Sequence, residues 1–99
     1  MRGKIDLSAQ EISALIPWFR GGIYILENTD DWDELDLTIM DLSPEQVTQM
    51  LNFLGYEEIS HESNGWEQDT YYYYTHKNHN ELCFFYSGHY GTMNLSLIR

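Results

Sequence analysis

Lysine and arginine are scarce in this 99-residue chain, five in all, and none lies between Arg20 and Lys77. A surface that lacks cations cannot follow a phosphate backbone or an anionic headgroup, so direct binding to nucleic acid or to a membrane surface is not expected. Cysteine occurs once, at Cys83. An internal disulfide is therefore impossible, which suits a reducing compartment. No segment approaches the roughly 20 apolar residues needed to cross a bilayer. The opening MRGKIDLSAQEISALIPWF carries Glu11 among its apolar residues, unlike the uninterrupted core of a secretory signal. Together these absences point to the cytoplasm. Also missing are an internal repeat, a linker, a low-complexity tract and a Gly-rich phosphate loop, because Gly21-Gly22 precedes a stretch that reads as a strand rather than a helix.

What the chain has in quantity is acid and aromatic surface. The formal net charge is -11, and every Asp and Glu except Asp6, Glu11 and Glu81 falls in the cation-free span from Gly21 to His76. Aromatic residues make up 15% of the chain, too many for a disordered acidic tail, and 99 residues suffice for one buried core. We expect a single domain over residues 1–99. Segregated charge of one sign opposes compaction but speeds encounter with a positive partner, whereas charge kept only for solubility is usually interspersed with Lys and Arg.

The first element reads as a short helix. Ser8 and Glu11 form a capping box, Leu7 and Ile12 fit its hydrophobic staple, and Ile12, Leu15, Ile16 and Phe19 recur at helical spacing. Pro17 predicts that the helix ends near Ile16. After the Arg20-Gly21-Gly22 break, Ile23 to Glu27 reads as a strand, Asn28 to Glu34 as a loop, and Leu35 to Asp41 as a half-buried strand with Leu35, Leu37 and Ile39 inward. A second helix is marked by Ser43 at the cap, Pro44 at the first position, Gln46 closing the box and Gly55 beyond the end. Its stripe is Val47, Met50, Leu51 and Leu54, leaving Glu45, Gln46, Gln49 and Asn52 to solvent. Tyr56 to Ser60 suggests a short strand, followed by a polar loop from His61 to Asp69 with the turn dipeptide Asn64-Gly65. Thr70 to His76 and Leu82 to Tyr86 read as a hairpin, and Met93, Leu95 and Leu97 alternate with polar residues in a last strand. This predicts an α+β fold, an antiparallel sheet of about four to five strands with two short helices on one face. The last strand is a candidate edge for pairing between copies, leaving monomer and homodimer both open.

Several residue groups are candidates for chemistry. Carboxylates two residues apart on extended chain are spaced about 6.6 to 6.8 Å. Such a row can occupy a basic groove that normally holds phosphates, as a DNA mimic would. The acids so placed are Asp30, Asp31, Asp33, Glu34 and Asp36, joined by Glu57, Glu58, Glu62, Glu67 and Asp69. Among them stand Trp32 and Trp66, and the run Tyr71 to Tyr74, of which Tyr72 and Tyr74 are assigned to the outward face as anchors. The competing reading is aromatic packing against Phe84, Phe85 and Tyr86. Asn28 to Asp36 lacks the central Gly and flanking helices of a calcium loop. His61, His76, His79 and His89 lack zinc-ligand spacing. Cys83 lies in an apolar strand where a buried inert thiol is usual. No cofactor, metal or catalytic residue is therefore expected.

In size, charge and aromatic content the chain resembles the acidic single-domain proteins that phages and mobile elements direct against host nucleases, restriction and CRISPR effectors included. The likeness carries no motif and hence no residue assignments. It implies a binding inhibitor, an anti-CRISPR or anti-restriction protein in the host cytoplasm, that blocks the basic nucleic-acid-binding surface of a nuclease complex. An immunity protein or antitoxin against a basic toxin nuclease rests on the same physics. A small metal- or ligand-binding enzyme using the histidines and carboxylates is the alternative from a different class.

Overall fold

The computed structural model describes residues 6–28, 34–66, 68–76 and 79–98. Its elements run α1 (Ala9–Glu27), β1 (Glu34–Asp36), a 3₁₀ turn (Thr38–Met40), α2 (Pro44–Phe53), β2 (Glu57–Asn64), β3 (Asp69–His76), β4 (His79–Ser87) and β5 (Thr92–Leu97). The five strands form one antiparallel sheet in the order β1-β5-β4-β3-β2. The α+β class follows. Strands β2 to β5 are a meander, and β1 adds to its far side.

Helix α2 forms as its local signals dictate. The Ser43 hydroxyl accepts the Gln46 N–H at 3.2 Å, and the Gln46 side chain accepts the Ser43 N–H at 2.9 Å. At the other end the Tyr56 N–H donates to the Leu51 carbonyl and the Gly55 N–H to that of Asn52, the paired closure of a Schellman motif. It requires the left-handed backbone that Gly55 adopts, φ 98°. Gln49 is not left to solvent: its side chain accepts the Leu7 N–H and donates to the Leu7 carbonyl, tying the start of α1 to α2.

Helix α1 departs from expectation. It is a single helix of 19 residues that runs through Pro17 and both glycines, so Ile23 to Glu27 is helix and not strand. The reason is that the apolar period never breaks. Ile12, Leu15, Ile16, Phe19, Ile23 and Leu26 continue one stripe, and Phe19, Ile23 and Leu26 are buried. An interior proline costs about 3 kcal/mol and an interior glycine about 1 kcal/mol. Burying each large apolar side chain contributes roughly 1.5–3 kcal/mol, so tertiary burial outweighs the local penalty. Gly22 also has a positive use, since a Cβ there would strike the Leu35 side chain. It lets α1 approach β1 closely.

A second departure follows β1. The Asp36 carboxylate accepts the Thr38 N–H at 2.8 Å and turns the chain into the 3₁₀ segment. Leu37 is buried and its N–H donates to the Met93 carbonyl, but Ile39 is 81% exposed rather than inward. Likewise the stretch from His61 to Asn64 is part of strand β2, not loop. And β5 is not an edge, because it lies between β1 and β4.

Both helices bury their stripes on the same face of the sheet. That face carries Tyr74 from β3, Leu82 and Phe84 from β4, and Met93, Leu95 and Leu97 from β5, all buried. Tyr72 stacks on Phe84 with ring centroids 5.5 Å apart. The Tyr74 hydroxyl is hydrogen-bonded to that of Thr48 on α2 at 2.8 Å. Burial pushes the phenols of Tyr74 and Tyr56 up to about 12 from an ordinary 10.0. A raised tyrosine pKa means the folded state holds the proton that the unfolded chain releases first. Stability is thus fully present below pH 10.0 and is lost as pH rises toward about 12. Alkaline unfolding followed by circular dichroism should show that window, and Tyr74→Phe should narrow the loss. A stability independent of pH across it would contradict the burial of these phenols.

Candidate partner-binding face

The alternation that places Leu82 and Phe84 under the helices sends Cys83 and Phe85 to the other side of β4. Cross-strand partners share a face, so the register extends this side across the sheet. One row reads Glu34, Ser96, Cys83, Tyr73, Ser60 from β1 to β2. The next reads Asp36, Asn94, Phe85, Tyr71, Glu62. Glu57 joins the β2 end beside Thr75, and Asp69 lies opposite Ser87 and Asn64. Among the described residues no helix covers this face. It presents an aromatic centre of Tyr71, Tyr73 and Phe85, with carboxylates at both margins.

The centre is partly packed within itself. Tyr71 and Phe85 have ring centroids 4.8 Å apart at 40°, and Tyr71 is 41% exposed. Tyr73, Cys83 and Phe85 are half-buried. Desolvation first, then the neighbouring Cys83 and Glu62, raises the Tyr73 pKa. Desolvation, then Glu62 and Glu34, likewise raises that of Cys83. Carboxylates from both margins thus act on the middle of the face. At a strand separation of about 4.8 Å, the β1 and β2 margins stand roughly 19 Å apart. On the β1 margin the backbone N–H of Thr38 lowers the Asp36 pKa. The Cys83 thiol is therefore not buried in the core but lies on the open face.

The outward anchors differ from those assigned by sequence. Tyr74 is 0% exposed and Tyr72 faces the helices, so neither is presented to a partner. Tyr71 and Tyr73 are the two on the uncovered face. Four consecutive tyrosines carry no parity of their own, but Met93, Leu95 and Leu97 do. Carried through the pairs Phe84↔Leu95 and Tyr72↔Phe84, their parity identifies the inward set.

Of the acids, Glu34, Asp36, Glu57 and Glu62 rim the face. Glu58 pairs with Tyr74 and so lies on the helix side of β2, where its carboxylate meets His61 Nδ1 at 3.0 Å. Asp69 is half-buried, and its Oδ1 has no hydrogen-bond partner among the described residues. Trp66 is 92% exposed at the tip of the β2–β3 hairpin, its N–H donating to Asn64 Oδ1. Asp30, Asp31, Trp32, Asp33 and Glu67 lie outside the described residues.

Among the described residues, no group of three or more His, Cys, Asp or Glu side chains is arranged to hold a metal ion. No described helix is long and apolar enough to cross a membrane. Arg20, the only Lys or Arg among the described residues, belongs to the helical layer, lining a cleft with Tyr24, Glu27 and Tyr56. Comparison with protein-family models, curated proteins and solved structures finds no match for this chain.

Proposed function

We propose that this protein is a small acidic binding inhibitor, an anti-defence protein of a phage or mobile element that blocks the basic nucleic-acid-binding surface of a host nuclease complex. The observation that carries the reading is the uncovered sheet face, where Tyr71, Tyr73 and Phe85 are rimmed by Glu34, Asp36, Glu57 and Glu62. Arginines that hold phosphates in the target would stack on the tyrosine rings and pair with the rim carboxylates. Desolvated aromatic anchors supply most of the affinity in such contacts, and the surrounding charge supplies rate and selectivity. The partner's groove would be filled by carboxylates in place of phosphates.

Reversing the rim tests this. The triple variant Glu34→Lys, Glu57→Lys, Glu62→Lys alters exposed side chains, so its circular dichroism spectrum should match the parent. Its affinity for the captured partner should fall at least about 100-fold at physiological salt, on the order of 3 kcal/mol. The slope of affinity against salt should flatten with it. A folded triple variant that binds as before would show that the rim is not the contact.

A further inference from the structure

Strand β2 is the long free margin of the sheet. It spans eight residues, pairs among the described residues with β3 on one side only, and is exposed at every position. A sheet edge can offer backbone N–H and C=O groups to another strand, and proteins usually guard it with lysine, proline or a bulge. Here the guard is partial. A register shift falls between Glu58 and Ser60, at Ile59, but from Ser60 to Asn64 the pairing with β3 is regular. No proline or lysine occurs in the strand, and its charged residues are Glu57, Glu58 and Glu62, with His61 between them.

We propose that the Ser60–Ser63 edge accepts an extended basic segment of the partner by strand addition, lengthening the sheet by one strand. Three features select that occupant. The Ser60–Ser63 stretch spans about 14 Å, enough for four residues of added strand. Glu62 projects on the open face and Glu58 on the helix face. A strand with arginine or lysine on both of its faces therefore meets a carboxylate on each side. A second copy of this chain is disfavoured, because it would bring another molecule of charge -11 and another acidic edge to the contact. The proposal rests on the inhibitor reading for the basic character of the partner, but it uses the backbone of β2 rather than the rings of the open face.

The test uses two probes on the full chain. One is a blocked eight-residue peptide that repeats Arg-Arg-Val-Val, which puts arginine on both faces of an added strand. The other is its peptoid counterpart, with the same side chains carried on nitrogen and no backbone N–H. The peptide should bind, and should slow hydrogen exchange at least tenfold at outward-pointing amides among Ser60–Ser63. The peptoid should bind at least tenfold more weakly, and Glu58→Lys with Glu62→Lys should weaken the peptide by a similar factor. Affinity of Tyr71→Ala with Tyr73→Ala for the captured partner reads the open face, and the peptide-to-peptoid ratio on the unaltered chain reads the edge, so the two fail or stand separately. Equal binding of peptide and peptoid would overturn the proposal, as would protection on strands other than β2. So would β2 protection that rises with protein concentration and without peptide, the sign of a second copy on the edge.

Discussion

Replacing Tyr71 and Tyr73 together by alanine is expected to lower affinity for the proposed basic partner at least about 100-fold while the protein stays folded. Each ring lies on the face that no described helix covers, and Tyr71 is 41% exposed, so truncation opens no cavity in the main core. The stability cost should be limited to cross-strand packing on Phe85 and Cys83, on the order of 1 kcal/mol per ring. The binding cost is larger because aromatic anchors at an interface centre commonly contribute 2 kcal/mol or more each, and about 1.4 kcal/mol is tenfold. Isothermal calorimetry on the recovered partner measures the loss, and thermal unfolding confirms the fold. The same pair of substitutions at Tyr72 and Tyr74 should behave oppositely, unfolding the protein before any question of binding arises.

Phe84→Ala is expected to be the most damaging single change. Phe84 is fully buried, stacks on Tyr72, and sits opposite Leu95 and Tyr72 in the middle strand of the sheet. Truncating a buried phenylalanine costs roughly 3–5 kcal/mol, from lost transfer energy and the cavity left behind. A domain of this size has about 5–15 kcal/mol in total, and self-repulsion at a net charge of -11 works against the compact state. Urea titration should therefore show the variant largely unfolded at low salt, with partial recovery as added salt screens the carboxylates. Phe85→Ala, one residue away on the open face, should cost far less. A small effect at Phe84 would mean that the helices do not pack on that side of β4.

Those contrasts show what was legible in the chain and what was not. Helix α2 could be read because every signal for it is local: the Ser43 and Gln46 box, Pro44 at the first position, Gly55 beyond the end. Strand β5 was legible because its alternation is clean. The second half of α1 was not, because Pro17 and Gly21-Gly22 are local terminators whose penalty is offset only by burial against the sheet, which involves residues distant in sequence. Ile39 was misplaced because the Asp36 turn interrupts an alternation that otherwise reads as continuous strand. Most of β2 was invisible for a different reason. An edge exposed on both faces has no apolar period to read, and Glu57 to Asn64 holds Ile59 as its single large apolar residue. The acidic and aromatic character of the open face was legible in composition; which aromatics face outward was set by register between strands.

Cys83 gives the most direct test of the central claim, since it is the chain's single cysteine and lies in the middle of the open face beside Tyr73. Tagged protein would be used to capture its partner from nuclease-treated host lysate, and the alkylation rate of Cys83 would be compared in the free protein and in the recovered complex. The account predicts a nucleic-acid-binding partner released by salt, with Cys83 alkylated at least tenfold more slowly while that partner is bound. A partner that stays bound while Cys83 reacts at its free rate would contradict it, because the face carrying Tyr71, Tyr73 and Phe85 would then still be open.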